Sequence, residues 1–178
     1  MKRARKHAPK SGKAYADFMA QAYAMEIDAS ERYAEFADQM EVHNNLEVAE
    51  LFRKLSGIEG LHAKRILKEM GWPQMPEPVY ALQWASAEPP ETAPVTELHY
   101  LMQPYHALEI ALRNERRAEK FLGGIARSRT APAEVAKLAA QMAAEEREHI
   151  RLIRDWMTRV PKPDPDWSRD PDPPFLSD

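Results

Sequence analysis

The sequence contains no cysteine among its 178 residues. That absence excludes disulfides, thiolate metal sites and cysteine nucleophiles, and it is typical of a reducing compartment, so we expect the protein to be cytoplasmic. No run of about 18 apolar residues occurs, which predicts no membrane span. With a net charge of −3, the chain has no overall attraction for nucleic acid. We therefore expect neither nucleic acid nor a membrane as a partner.

The prolines divide the chain into regions. Six of the 15 lie between Gly71 and Pro94, where they prevent a regular helix and predict a long crossover at about 71–95. Six more, with five aspartates, predict an extended or disordered tail over 161–178. Residues 1–13 form a basic arm without the apolar stretch of a signal peptide. One helical domain is predicted over 14–160, with Trp72, Tyr80 and Trp84 fastening its crossover, and Trp167, Phe175 and Leu176 docking on the bundle or on a partner.

Four segments carry apolar residues spaced alternately three and four apart, the pattern of helices that line the interior of a bundle. The first is predicted over about 14–40. The second is capped by an asparagine near 45 and ends at about Met70, before Gly71. The third is predicted to begin near Thr96, and the fourth to be capped by Thr130 and to extend to about Val160.

Each apolar stripe is interrupted near its middle by glutamate or histidine. Each half of the chain carries one Glu-x-x-His pattern, with the two histidines 87 residues apart, and a single glutamate 33 or 31 residues earlier. Residues three apart share a helix face, so one ion can contact both side chains of each pattern. The six interrupting residues are Glu26, Glu59, His62, Glu115, Glu146 and His149.

Four buried carboxylates bring four negative charges into one core. Burying a single unpaired charge costs several kcal/mol, against a total domain stability of about 5–15 kcal/mol. No lysine or arginine stands in these positions of the stripes, so the cluster needs protons, cationic partners or metal. Two divalent ions would cancel the charge. Oxygen ligands with some nitrogen suit iron or manganese, and zinc is possible by affinity.

This arrangement resembles the ferritin-like di-iron carboxylate proteins, and most closely those of the rubrerythrin type. The resemblance implies an all-α, ferritin-like four-helix bundle of two helical hairpins joined by the proline-rich crossover. It also implies two bound iron ions, bridged by Glu59 and Glu146. The other four residues would be terminal ligands. Tyr33, two turns beyond Glu26, matches a tyrosine commonly found near such a site, although plain core packing also explains it. A homodimer is expected on the same ground.

Three features depart from the rubrerythrin pattern. Without cysteine, the chain has no rubredoxin module to deliver electrons. Ala118 stands where a further glutamate is usual, three residues after the ligand of the third helix. Leu122 and Gly123 stand where a tyrosine is usual. The resemblance therefore indicates the fold and the metal site more firmly than a particular reaction.

We expect the protein to oxidise Fe(II) with O2 or peroxide, as a ferroxidase or a peroxide-detoxifying oxidoreductase whose electron donor is unknown. Two other interpretations stay open. One is a non-catalytic metal-binding scaffold, in which the ions only fasten the bundle. The other is a di-iron oxygenase acting on an organic substrate, which needs an apolar channel to the metals. Nothing in the sequence indicates a storage cage.

Overall fold

A computed structural model describes residues 12–74 and 98–170 of the chain. Four helices and no strand are found in these two segments. Predictions about the basic arm, most of the crossover (including Tyr80 and Trp84), and Phe175 and Leu176 lie outside the described residues. None of the described helices is long and apolar enough to cross a membrane. The helices are α1 (Lys13–Val42), α2 (Leu46–Met70), α3 (Pro104–Ala126) and α4 (Ala133–Met157).

The ends of α2 are as predicted. At its start the side chain of Asn45 accepts a hydrogen bond from the backbone N–H of Val48 at 3.4 Å. The same side chain donates to the carbonyl of Met102 at 2.6 Å, which ties the α1–α2 turn to the segment before α3. At the other end Gly71 has a φ of 65°, a left-handed conformation that glycine adopts without steric cost.

The predicted start of the third helix near Thr96 is wrong. Residues 98–103 are not helical, and α3 begins at Pro104. Proline suits the first helical position because its φ is already helical and it lacks an N–H that would be left unpaired there. The backbone N–H of Gln103 donates to His106 Nδ1 at 3.0 Å, which stabilises this start. Leu101 therefore precedes the helix instead of forming part of it.

The predicted cap of the fourth helix is also wrong. Pro132, not Thr130, occupies the position before α4, and no side chain caps this end. The hydroxyl of Thr130 lies 3.0 Å from that of Ser128 instead, within the turn. Proline at 132 keeps the chain extended just before Ala133, so the helix begins three residues after the predicted cap.

The helices pack as two hairpins, α1 against α2 and α3 against α4. The first hairpin is tight at mid-length, where Ser30 Oγ donates to the carbonyl of Ser56 at 2.9 Å. A Cβ on Gly60 would lie 3.3 Å from that hydroxyl, so only glycine fits without a shift in its neighbour. The α1–α2 approach is therefore close beside Glu59.

Two apolar clusters fill the bundle, one on each side of its polar middle. The first is built around Tyr33, Phe36, Phe52 and Leu108, and the second around Phe18, Met19, Leu122 and Met142. Most of the predicted interior residues belong to one or the other, which confirms the four stripes. The interrupting glutamates and histidines lie between the clusters in sequence along every helix.

The described part of the tail is docked on the bundle. The Trp167 ring lies 3.8 Å from the ring of His106, between centroids, and 5.3 Å from that of His99. The Tyr100 hydroxyl hydrogen-bonds the carboxylate of Asp170. Of the two partners left open by the sequence, Trp167 therefore contacts the bundle. Trp72 packs against the second cluster, as expected for the start of the crossover.

We expect Trp167→Ala to destabilise the protein by about 1–3 kcal/mol, less than the loss of a fully buried tryptophan, because the ring is only partly buried. Thermal unfolding should then begin several degrees lower. Lys162→Ala, an exposed change in the same segment, is the control. An unchanged melting temperature for Trp167→Ala would mean that the docked tail does not stabilise the fold.

Candidate metal centre

Each hairpin brings together three of the six residues singled out by the sequence. In each trio, α1 or α3 supplies one glutamate, and α2 or α4 supplies the Glu-x-x-His pair. Donor atoms of the three side chains all lie within 4.8 Å of one another. The two trios are Glu26, Glu59 and His62, and Glu115, Glu146 and His149.

The histidine is the centre of each trio. His62 Nδ1 lies 3.4 Å from Glu26 Oε2 and 3.2 Å from Glu59 Oε2. In the other trio, the corresponding distances from the histidine Nδ1 to the two carboxylates are 3.2 and 3.1 Å. The halves therefore place the same atoms at nearly the same separations, as the repeat in the sequence implies.

The two trios face each other across the contact between the hairpins. The imidazole rings of His62 and His149 are stacked, with centroids 4.8 Å apart and planes 6° from parallel. All four glutamates are buried, and both histidines are partly exposed. The two trios therefore form one site with two equivalent halves, in which the carboxylates are buried and the imidazoles are partly exposed.

Burial makes ionisation of the terminal glutamates unfavourable. Burial raises the pKa of Glu26 to about 7, and the hydrogen bond to His62 offsets this only in part. Burial also raises the pKa of Glu115 well above its usual range. The pKa of Glu146 is lowered: burial opposes this, but hydrogen bonds from His149 and Glu115 outweigh it. In the absence of metal, Glu115 therefore favours its protonated form, hydrogen-bonded to an ionised Glu146.

The histidines provide positive charge beside the carboxylates, where the stripes carry no lysine or arginine. Burial lowers the pKa of His62, but its hydrogen bonds to Glu26 and Glu59 prevail and raise it to about 10. In the same way, the contacts of His149 overcome burial and raise its pKa to about 11. Both imidazoles are therefore cationic at neutral pH in the absence of metal, and they partly balance the carboxylates.

The donor set fits a pair of divalent ions. It offers up to eight carboxylate oxygens and two imidazole nitrogens, a combination that suits iron or manganese better than metals that favour thiolate. The histidine Nδ1 atoms already point at the carboxylates with which they would share an ion. Two divalent ions would replace the protons and the imidazolium charges that balance the cluster in their absence.

Tyr33 lies in the first apolar cluster, and its hydroxyl accepts a hydrogen bond from Asn114 Nδ2 at 3.0 Å. Its ring stacks on Phe52, with centroids 6.1 Å apart. Tyr33 is thus both packed in the core and hydrogen-bonded, through Asn114, to the turn of α3 that carries Glu115.

Asn114 was missed by the sequence interpretation. It is fully buried, and Arg117 donates to its side-chain oxygen. A signal was present: Ala107, Ala111, Asn114 and Ala118 are spaced by four, three and four, and all are buried. They form a second interior stripe on α3, beside the stripe that contains Glu115.

Comparison with known proteins agrees with this arrangement. The rubrerythrin family model matches residues 17–132. A solved structure, described as an uncharacterized conserved protein from Magnetospirillum magnetotacticum MS-1, is 38% identical, with a TM-score of 0.60. That match covers 84% of this chain and 97% of the other. No curated protein gave a significant match. The all-α bundle of two hairpins is therefore confirmed, and the chain belongs to the rubrerythrin family.

Proposed function

We propose that this protein binds two iron ions in the site formed by the two trios, and that it oxidises Fe(II) with O2 or peroxide. The observation that carries the proposal is the pair of equivalent Glu, Glu and His trios, buried face to face between two apolar clusters. Four carboxylates in that position are costly unless cations accompany them. The family to which the chain belongs makes iron the first candidate.

The six side chains have distinct roles in this proposal. By similarity to the family, Glu59 and Glu146 would hold both ions. Glu26 with His62 would hold one ion, and Glu115 with His149 would hold the other. Iron, when bound, supplies the one-electron steps that transfer electrons to O2 or peroxide.

The protein's own contribution is charge, proton handling and exclusion of water. Iron loading requires His62 and His149 to lose the protons that they carry at neutral pH in the metal-free state. Burial also disfavours the ionised form of Glu115, so a bound ion would have to stabilise that charge. The apolar clusters on either side keep bulk water from the carboxylates, and the hydrogen bond from Asn114, the neighbour of Glu115, fixes the position of the Tyr33 phenol.

The surroundings of the site favour equivalent iron environments. Ala29 and Ala118 each follow the terminal glutamate by three residues, and both are buried. Neither can offer an alternative carboxylate to an ion that changes oxidation state. We therefore favour ferroxidase activity over fast peroxide reduction. A scaffold without turnover would show the same metal content but no consumption of O2 or peroxide.

The first prediction concerns stoichiometry. The unmutated protein should bind two Fe(II) or Mn(II) ions per chain, and His62→Ala or His149→Ala should each reduce this toward one, since each histidine belongs to one trio. Anaerobic titration with elemental analysis measures the number. His43→Ala removes an exposed histidine and should leave two ions bound. Two tight ions in either site variant would show that the histidine concerned is not a ligand.

The second prediction concerns how the melting temperature changes with pH. We expect it to fall with rising pH when metal is absent and to rise when metal is bound. Glu26 has a raised pKa of about 7, so its stabilising contribution, present at about pH 4.5, is lost as pH rises through 7. The raised pKa values of the histidines act in the same direction: their contribution is complete below about pH 6.5 and is lost toward pH 10 and 11.

Without metal, the melting temperature should therefore fall by roughly 5 °C or more between about pH 5.5 and pH 8. With saturating Mn(II) it should rise over the same interval, because protons compete with the ion for its ligands. Thermal melts at both pH values, with and without Mn(II), measure this. If the melting temperature changed with pH in the same way with and without Mn(II), metal binding at the titrating groups would be excluded.

The third prediction concerns the reaction. Stopped-flow reoxidation of the di-Fe(II) protein should be no faster with peroxide than with O2, because Ala118 offers no additional carboxylate to an ion. Ala118→Glu should raise the rate with peroxide relative to O2. Ala118→Gln, of the same size without the charge, is the matched control. Peroxide strongly outrunning O2 in the unmutated protein, with no effect of Ala118→Glu, would show that this position does not set the preference.

A further inference from the structure

We propose that divalent cations enter and leave the site through a cleft between α2 and α4, and that the ion pair between Arg65 and Glu145 is the gate across this cleft. The inference rests on the proposed binding of metal by the two trios. It adds a route and two residues that neither the family nor the ligand set assigns. Five observations support it.

A cavity of about 370 Å³ is lined by residues of α2 and α4, together with Met19 of α1. Its floor includes Ile66 and Met142, which are buried. Ile66 follows His62 by four residues, and Met142 precedes Glu146 by four, so each lies on the same helix face as a site residue. The cavity walls on α2 and α4 therefore belong to the helix faces that carry His62 and Glu146 one turn away, and no residue of the trios lines the cavity itself.

The ion pair joins α2 to α4 beside the site. Arg65 follows His62 by three residues, Glu145 immediately precedes Glu146, and the guanidinium contacts the carboxylate directly. Both residues line the cavity. Their side chains are 55% and 43% exposed, and exposed pairs of this kind contribute little to stability. The contact can therefore open and close without disturbing the bundle.

The histidines are the most exposed of the six site residues. The side chains of His62 and His149 are 18% and 19% exposed, whereas those of the four glutamates are 4–6% exposed. Both histidines belong to the helices that border the cleft. An ion arriving from solvent would thus meet the imidazoles and the Arg65–Glu145 pair before it reached the carboxylates.

The gate is present at one end of this face only. The offset of 87 residues that relates the two Glu-x-x-His patterns also relates Arg65 to Leu152 and Glu145 to Ile58. Neither counterpart is charged, so no equivalent ion pair can form there. The Arg65–Glu145 pair therefore breaks the internal symmetry of the chain, whereas the six site residues obey that symmetry.

The charges at the cleft suit a hydrated divalent cation. Glu69 and Glu145 both line the cavity, so two carboxylates stand at its rim. The hydrogen bond to Glu145 raises the pKa of Arg65, and the carboxylates of Glu26 and Glu69 add to this effect. Arg65 is thus attracted to the carboxylates among which an incoming cation would pass. An incoming ion passes by competing with the guanidinium for Glu145.

The test is the rate at which bound Co(II) is released to an excess of pyridylazoresorcinol, followed by absorbance, in Arg65→Gln and Glu145→Gln. Both variants break the ion pair, but they change the local charge in opposite directions. A gate predicts that release accelerates in both, by roughly fivefold, the factor expected when a weak exposed pair no longer closes the route. Association of Co(II) should accelerate as well in Arg65→Gln.

A purely electrostatic role predicts a different pattern. Removal of the Arg65 charge would then hold Co(II) more tightly and slow its release, while Glu145→Gln would accelerate it; this pattern would overturn the gate. Arg147→Gln is the matched control, because Arg147 pairs with Glu119 between α4 and α3 at 2.8 Å, away from the cavity lining. Its release rate should equal that of the unmutated protein.

The two proposals fail in different ways. If the unmutated protein binds no Co(II), Mn(II) or Fe(II) tightly, the metal centre itself is wrong, and the gate is wrong with it. If two ions bind but their release is unchanged in both variants, only the gate is wrong.

Two controls address the fold and the charge. Melting temperatures of the metal-free variants show whether faster release reflects loss of the fold. The double variant Arg65→Gln with Glu145→Gln restores the net charge while leaving the route open.

Discussion

The burial of four carboxylates in one small space is the constraint on which the rest of this structure depends. Their mutual repulsion and lost hydration oppose folding, so positive charge must be present in the same space. In the metal-free protein two imidazolium groups supply it, and burial favours the neutral forms of Glu26 and Glu115, which lessens the negative charge. The packed clusters on both sides hold this arrangement, because no single helix could keep the carboxylates together.

The site is more symmetric than its surroundings. The two trios have nearly the same distances, and alanine follows each terminal glutamate at the same interval. Beyond them the halves differ: the residue that corresponds to Tyr33 is Leu122, and the Arg65–Glu145 pair has no charged counterpart. The two equivalent sets of candidate ligands thus have different surroundings, because one phenol and one ion pair are each present in one half only.

Periodicity predicted the helices because the spacing of apolar residues reports directly on which helix face is buried. It predicted helix starts poorly where proline was involved. Pro104 begins α3 and Pro132 immediately precedes α4, in both cases by local backbone geometry, which the apolar stripe does not reveal. Asn114 was overlooked for another reason: a polar residue among arginines suggests a solvated face, although its spacing from Ala111 and Ala118 marks an interior one.

The sequence by itself determined the four helices, the six interrupting residues and the need for cations, since all of these follow from spacing along a helix and from the charge of the residue types. Only the tertiary structure decided which residues of the two hairpins contact each other. The stacking of His62 on His149, the Tyr33–Asn114 hydrogen bond and the Arg65–Glu145 pair join residues more than 75 positions apart. Such contacts depend on how two hairpins dock, and no local pattern encodes their relative position.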